Sequence, residues 1–208
     1  MQPLTASVPV HTDFLPLEGT DYIEFYVGNA KQAAHYYRSV MGFQPLAYSG
    51  PETGDREKVS YVLRQNKVQF MFTTPLRSHH PIADHVHRHG DGVRVLALRV
   101  QDATQAWKET TRRGGKSFME PVTMKDEHGQ VVVSGIHTYG EVVHLFIERK
   151  DYQGVFMPGF RPWQTPYYQS GETGLLYIDH CVGNVGWNQM NPWVSFYEDV
   201  MGFRNILS

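Results

Sequence analysis

Among the groups in this chain that could hold a metal or move a proton, the histidines of two places stand out. One is the run His79-His80-Pro81 through His85-Val86-His87-Arg88-His89. Within it His85 and His89 stand four residues apart, which on a helix puts two imidazoles on one face, where they can chelate an ion. Imidazole takes Zn, Cu and Ni readily, so adventitious binding there is chemically easy. The same run also reads as a solvated helix with Ile82, Ala83 and Val86 turned inward. The other place is a single residue, His180. A lone histidine in an apolar strand is more often a hydrogen-bonded core residue than a ligand. What separates His180 from that ordinary case is an internal repeat.

Tyr177-Ile178-Asp179-His180-Cys181-Val182-Gly183-Asn184 repeats Tyr22-Ile23-Glu24-Phe25-Tyr26-Val27-Gly28-Asn29, and Tyr197-Glu198-Asp199-Val200-Met201-Gly202-Phe203 repeats Tyr37-Arg38-Ser39-Val40-Met41-Gly42-Phe43. The later copy carries five more residues between its two strings. Such a repeat means related domains from one duplicated ancestor. The later copy has an imidazole able to ligate a metal where the earlier has the hydrophobe Phe25.

The elements that position these residues follow from periodicity. Residues 21–27 alternate, with Ile23, Phe25 and Val27 on one face of a half-buried strand. Asn29 caps a helix at about 30–41 whose stripe is Ala30, Ala33, Ala34, Tyr37, Val40 and Met41, with Gly42 as its stop. Strands follow at 46–49, 59–64 and 68–73, the last two joined by the turn Gln65-Asn66-Lys67. The same grammar recurs: a strand at 93–100, a helix at about 103–113 after the cap Asp102, then strands at 117–120, 130–137 and 142–149. The expectation is an α+β fold of two βαβββ modules, 20–76 and 92–149, forming a curved, mostly antiparallel sheet with the helices outside.

The organisation expected is a lead-in over 1–19, a domain over 20–150, a linker over 151–173 and the truncated start of a second domain over 174–208. Phe156, Phe160, Trp163, Tyr167 and Tyr168 suggest a linker packed on the surface. The last segment reads as a strand from Leu175 and then a helix capped by Asn191-Pro192, with Trp193, Phe196, Tyr197, Val200 and Met201 on one stripe. In the strand His180 and Val182 share a face and Cys181 points away. A strand and helix alone expose an apolar face that nothing covers. A short extension exchanged with a partner chain is the alternative.

Composition excludes some function classes. A net charge of −2 leaves no footprint for nucleic acid or an anionic membrane. No apolar run approaches the ~18 residues of a membrane helix, and Met1 to Leu17 lacks the pattern of a secretory signal. The single cysteine, Cys181, rules out an internal disulfide framework and fits a reducing, cytoplasmic location.

Paired βαβββ modules resemble the vicinal oxygen chelate superfamily, whose fold is glyoxalase/dihydroxybiphenyl dioxygenase-like. Within it, several strings are similar to the 4-hydroxyphenylpyruvate dioxygenase family: Val27-Gly28-Asn29-Ala30-Lys31-Gln32-Ala33-Ala34, Leu46-Ala47-Tyr48-Ser49-Gly50, His89-Gly90-Asp91-Gly92-Val93, Lys125-Asp126-Glu127-His128-Gly129, Thr138-Tyr139-Gly140 and Ile178-Asp179-His180-Cys181-Val182-Gly183-Asn184. The resemblance runs in register from about Asp13 to Leu207 and covers roughly the first half of the family's length.

The resemblance implies an Fe(II) enzyme that turns 4-hydroxyphenylpyruvate and O2 into homogentisate and CO2 in tyrosine catabolism, as a homo-oligomer. Its iron is held by two histidines and a glutamate of the second domain. The first histidine maps onto His180, and the other two ligands would lie beyond Ser208, so this segment alone is expected to be inactive. Val182 is expected beside the metal, lining the substrate pocket. The places in the first domain that correspond to ligands are taken as Phe25, Val95 and Leu145, which makes it a metal-free scaffold. Two set-asides remain: a 4-hydroxymandelate synthase-like enzyme, and a non-enzymatic, metal-free binding or assembly module.

Overall fold

The computed structural model describes residues 13–165 and 170–206. Tyr167 and Tyr168, most of the 1–19 lead-in, and the end of the chain at Leu207 and Ser208 lie outside the described residues. The first module is β1 (Leu17–Tyr26), α1 (Ala30–Ser39), β2 (Gln44–Ser49), β3 (Lys58–Gln65) and β4 (Val68–Pro75). The second is β5 (Gly92–Val100), α3 (Ala103–Arg112), β6 (Ser117–Asp126), β7 (Gly129–His137) and β8 (Val143–Glu148), after α2 (Pro81–His89). A short β9 (Arg161–Pro162) and α4 (Met190–Met201) complete it.

All nine strands form one sheet in the order β6-β7-β8-β5-β1-β4-β3-β2-β9. Each module's first strand pairs parallel with its last, β1 with β4 and β5 with β8, and the other pairings are antiparallel. The antiparallel β1–β5 pair joins the two modules back to back. This is the expected α+β architecture, a curled half-barrel of repeated βαβββ modules.

Local chemistry explains the helices. The Asn29 side chain accepts the Gln32 N–H at 3.0 Å, and Asp102 accepts the Gln105 N–H at 2.7 Å, so each module starts its helix with the same cap. Ala30 and Ala34 are fully buried and let α1 lie close on the sheet, against Phe43, Leu63 and Phe72. Val40, expected in the stripe, is exposed, because the helix ends at Ser39.

Three expectations about strands are corrected. β1 is buried on both faces: Asp21, Tyr22, Ile23 and Glu24 are all buried. One side lies under α1 and the other looks into a core that runs from Ala47 and Val62 across to Val131 and Ile147. β6 runs past Glu120 to Asp126 although Pro121 interrupts it. It is an edge strand, where a missing N–H costs no ladder bond, and register shifts flank the proline. The expected strand at 175–184 does not form, and no described strand runs beside it to take its N–H and C=O groups.

The connection after β8 is more than a surface linker. Tyr152, Phe156 and Met157 are buried and close the concave core, with Phe156 edge-on to Tyr22 at 5.3 Å. Burying one such ring contributes roughly 1.5–3 kcal/mol. β9 then adds an edge to β2, and Trp163 stands edge-on to Tyr61 at 4.8 Å. Residues 173–176 are strapped to the β3–β4 hairpin. The fully buried Gln65 side chain accepts the N–H groups of Thr173 and Leu175, and Asn66 donates to the Leu175 carbonyl at 2.7 Å.

The apolar face expected to stay uncovered is covered on helix α4 and stays largely exposed along 175–182. Helix α4 begins at Met190, with Gln189 rather than Asn191 at its cap. It buries Val200 and Met201 against Leu98, Val100, Ala103 and Ile136 of the second module. The Tyr197 hydroxyl lies 2.8 Å from His144 Nε2 and 3.0 Å from Thr138 Oγ1. Trp187, Met190 and Ile206 stay exposed. No helix is long and apolar enough to cross a membrane among the described residues.

Candidate functional site

His180 lies in the irregular stretch between the hairpin strap and α4, with 72% of its side chain exposed. Its Nδ1 is 2.7 Å from the Asp179 carboxylate. It borders a cavity of about 620 Å³ shared with Thr20, Leu96, Trp193, Val194 and Arg204. Val182 is 82% exposed and does not line that cavity. The two were expected on one face. Alternation holds only for a chain in extended, paired geometry, and here the backbone is neither. Cys181, expected to point away from His180, is also exposed and free. Among the described residues no cluster of three ligating side chains includes His180. One imidazole does not hold Fe(II), so the residues described around His180 do not by themselves fit that metal.

The concave face of the sheet is where β1, β5 and β8 come together. Register places Glu24 opposite Val95 and Tyr22 opposite Ala97, while Leu145 stands beside Ala97 from the other side. Tyr22, Val95 and Leu145 share the concave core. Phe25 does not: it packs on the opposite face against Phe70 and Phe72 at 5.2 Å each, beneath Tyr37 of α1. Grouping Phe25 with Val95 and Leu145 is therefore wrong on geometry. Aligning the repeat on Val-Gly-Asn picks the residue one step out of phase with the face that matters. The polar group the sequence reading overlooked on that face is Glu24. It accepts from Thr73 Oγ1 at 2.6 Å, which in turn lies 2.9 Å from Ser60 Oγ. Burial drives its carboxyl above the usual range, against the pull of Lys58 and the Thr73 bond.

The histidine run forms α2. His80 caps it, its Nδ1 accepting the Ile82 N–H at 3.1 Å. Ile82 faces inward as expected, and His85 is buried beside it. His79 and His87 are exposed. The β7–β8 turn brings Glu141 over the helix, with its Oε2 3.1 Å from His85 Nδ1 and 3.3 Å from His89 Nε2. Arg88 clasps the same carboxylate with both terminal nitrogens. Burial holds His85 below its ordinary range, so its imidazole is neutral. Burial works against the Glu141 carboxylate, but the bonds from His85 and Arg88 outweigh it and keep the group ionised. Glu141 was missed because some fifty residues separate it from the run.

The family description "Hydroxyphenylpyruvate dioxygenase, HPPD, N-terminal" matches residues 11–157. The chain belongs to the 4-hydroxyphenylpyruvate dioxygenase family. It is 37% identical to the 4-hydroxyphenylpyruvate dioxygenase of Yarrowia lipolytica over 100% of this chain and 57% of that protein. With the Dictyostelium discoideum enzyme of the same name it is 43% identical, over 92% of this chain and 54% of that one. The chain thus spans about half the length of the curated relatives it matches. A mutant 4-hydroxymandelate synthase from Streptomyces coelicolor superposes with a TM-score of 0.77 at 23% identity, covering 93% of this chain and 55% of its own. That likeness supports the fold alone.

Proposed function

We propose that the chain is the N-terminal portion of an Fe(II)-dependent 4-hydroxyphenylpyruvate dioxygenase, which converts 4-hydroxyphenylpyruvate and O2 to homogentisate and CO2 in tyrosine catabolism. The observation that carries this is in-register similarity over the whole chain to relatives of that name, at about half their length. The iron chemistry calls for two imidazoles and one carboxylate on one side of the ion, leaving adjacent positions for substrate and oxygen. On this reading His180 is one of the two imidazoles and Val182 borders the substrate.

The role of the described residues is structural and positional. β8, β5 and β1 present a filled concave face, and α4 is anchored to the opposite face of the same sheet through Tyr197. The His180 segment is held between two fixed points, the Gln65 strap and α4. A further strand pairing along 178–184 would restore the alternation that puts His180 and Val182 on one face. The free Cys181 fits a reducing cytoplasm. A homo-oligomeric state rests on the family resemblance.

The test is metal analysis alongside oxygen uptake on a protein of the relatives' full length. His180→Ala should abolish iron retention and turnover of 4-hydroxyphenylpyruvate. Val182→Ala should raise KM while leaving iron content near normal. Stoichiometric iron and normal oxygen uptake in the His180 variant would remove His180 from the site.

A further inference from the structure

We propose that His85, His89 and Glu141 form a second metal site, one that takes a divalent transition ion of the Zn2+ class and clips helix α2 to the β7–β8 turn. One ligand atom from each residue lies within 4.8 Å of the others. Two of the separations, 3.1 Å and 3.3 Å to the same Glu141 oxygen, are already close to those between neighbouring ligands of a tetrahedral zinc. Such ligands sit at about 2.0–2.2 Å from the ion and so about 3.3 Å from one another.

The donors are built into the fold. His85 is 7% exposed and its ring stands edge-on to Tyr26 at 5.3 Å, which fixes its orientation. His89 follows one turn later on α2, with ring centroids 4.7 Å apart. The turn Tyr139-Gly140 delivers the carboxylate from the far end of the second module. Arg88 grips both carboxylate oxygens, Nη1 on Oε1 and Nη2 on Oε2 at 3.2 Å. Oε2 is thus shared between the guanidinium and the two imidazoles, and an ion would take the place of the longer Nη2 contact. With Nη1 kept on Oε1, the arginine orients the carboxylate ligand in the way outer partners do at metal sites. On binding, each imidazole would keep one proton on the nitrogen away from the ion.

Three protein ligands leave the fourth position open. It faces a cavity of about 430 Å³ lined by Tyr139, Asn184, Val185 and Trp193, so a water or a small oxygen ligand completes the shell. The cavity also touches the segment that follows His180, which places the clip beside the anchoring of that segment. The inference is independent of the iron reading, because none of its ligands is shared with His180.

The experiment uses the 208-residue chain, freed of metal by chelation and titrated with Zn2+ by calorimetry, with Co2+ absorption as a report on ligand geometry. One equivalent should bind, raise the melting temperature, and give the intense visible absorption of a tetrahedral Co2+ centre. His89→Gln and Glu141→Gln should each weaken binding by about tenfold or more, since even outer partners of a metal site cost that much. His87→Gln, exposed on the same helix, should bind as the parent does. His89 is partly exposed, so melting of the metal-free variants close to the parent will show that they fold. The absence of a saturable single site would overturn the proposal. So would binding that survives both substitutions, for then the ion sits elsewhere on the chain.

Discussion

Tyr22–Asn29 and Tyr177–Asn184 are near copies that end in different structures. The first copy lies in the middle of the sheet, paired with β5 on one side and β4 on the other. Its Asp21 neighbour is wholly buried and ion-paired to Arg99 and Arg149, and the Gly28 N–H donates to Asp91 at 2.7 Å. The second copy has no ladder on either side. It touches the body of the domain where Lys67 donates to the Leu176 carbonyl and where Gly183 approaches the Tyr139 ring so closely that a Cβ would stand 2.5 Å from it.

The helical halves of the same repeat do converge. Gly42 and Gly202 both end their helices with positive φ, at 74° and 70°. Phe43 and Phe203 each donate backbone N–H to the tyrosine carbonyl six residues earlier, Tyr37 and Tyr197. Helix hydrogen bonds close within the segment, whereas strand bonds need a second segment. Local structure thus survives duplication wherever it carries its own partners.

Substitutions can break or sharpen this contrast. The largest effect is expected at Asp21→Ala, which strands Arg149 in a mostly buried place. Removing one partner of such a pair costs about 3–5 kcal/mol, while Leu176→Ala at the matching place of the second copy should change little. Denaturant unfolding measures both, and equal effects would contradict the account of why the copies differ.

Next comes Ile23→Ala, expected to cost about 2–4 kcal/mol as a core truncation. Its counterpart Ile178→Ala, half-buried, should cost under about 1 kcal/mol. Similar losses at the two positions would show that the second copy is packed as tightly as the first.

The pH dependence reports on the anchoring of α4. Burial pushes the His144 imidazole down to about 4, below its value of roughly 6.5 in an unfolded chain. Between those limits the unfolded state binds the extra proton, so stability is complete above about pH 6.5 and falls as pH drops toward 4. The loss is on the order of 2–3 kcal/mol. His144→Gln should flatten that part of the profile, and an unchanged slope would sink the assignment.

Tyr197→Phe removes the hydroxyl shared by His144 and Thr138 and should cost about 1–2 kcal/mol, with faster amide exchange in α4. The smallest effect is expected at His180→Ala in this chain, within about 0.5 kcal/mol, because the residue is exposed and its partner Asp179 is exposed as well.

The starts of α1 and α3 and the βαβββ grammar were legible because alternation and the caps Asn29 and Asp102 act over a few residues. The repeat was legible for the same reason. Which face of β1 meets the concave core was not. The Val-Gly-Asn alignment selects Phe25, and only pairing with β5 shows that Tyr22 and Glu24 look inward. Nor could spacing reveal that Glu141 completes a cluster with His85 and His89, or that Phe156 closes a core from within a proline-rich connection. The sequence by itself determined the elements and their order, since their hydrogen bonds and apolar stripes are local. Tertiary structure decided which strands found partners and which charged groups met, because those depend on segments brought together only by the closing of the sheet.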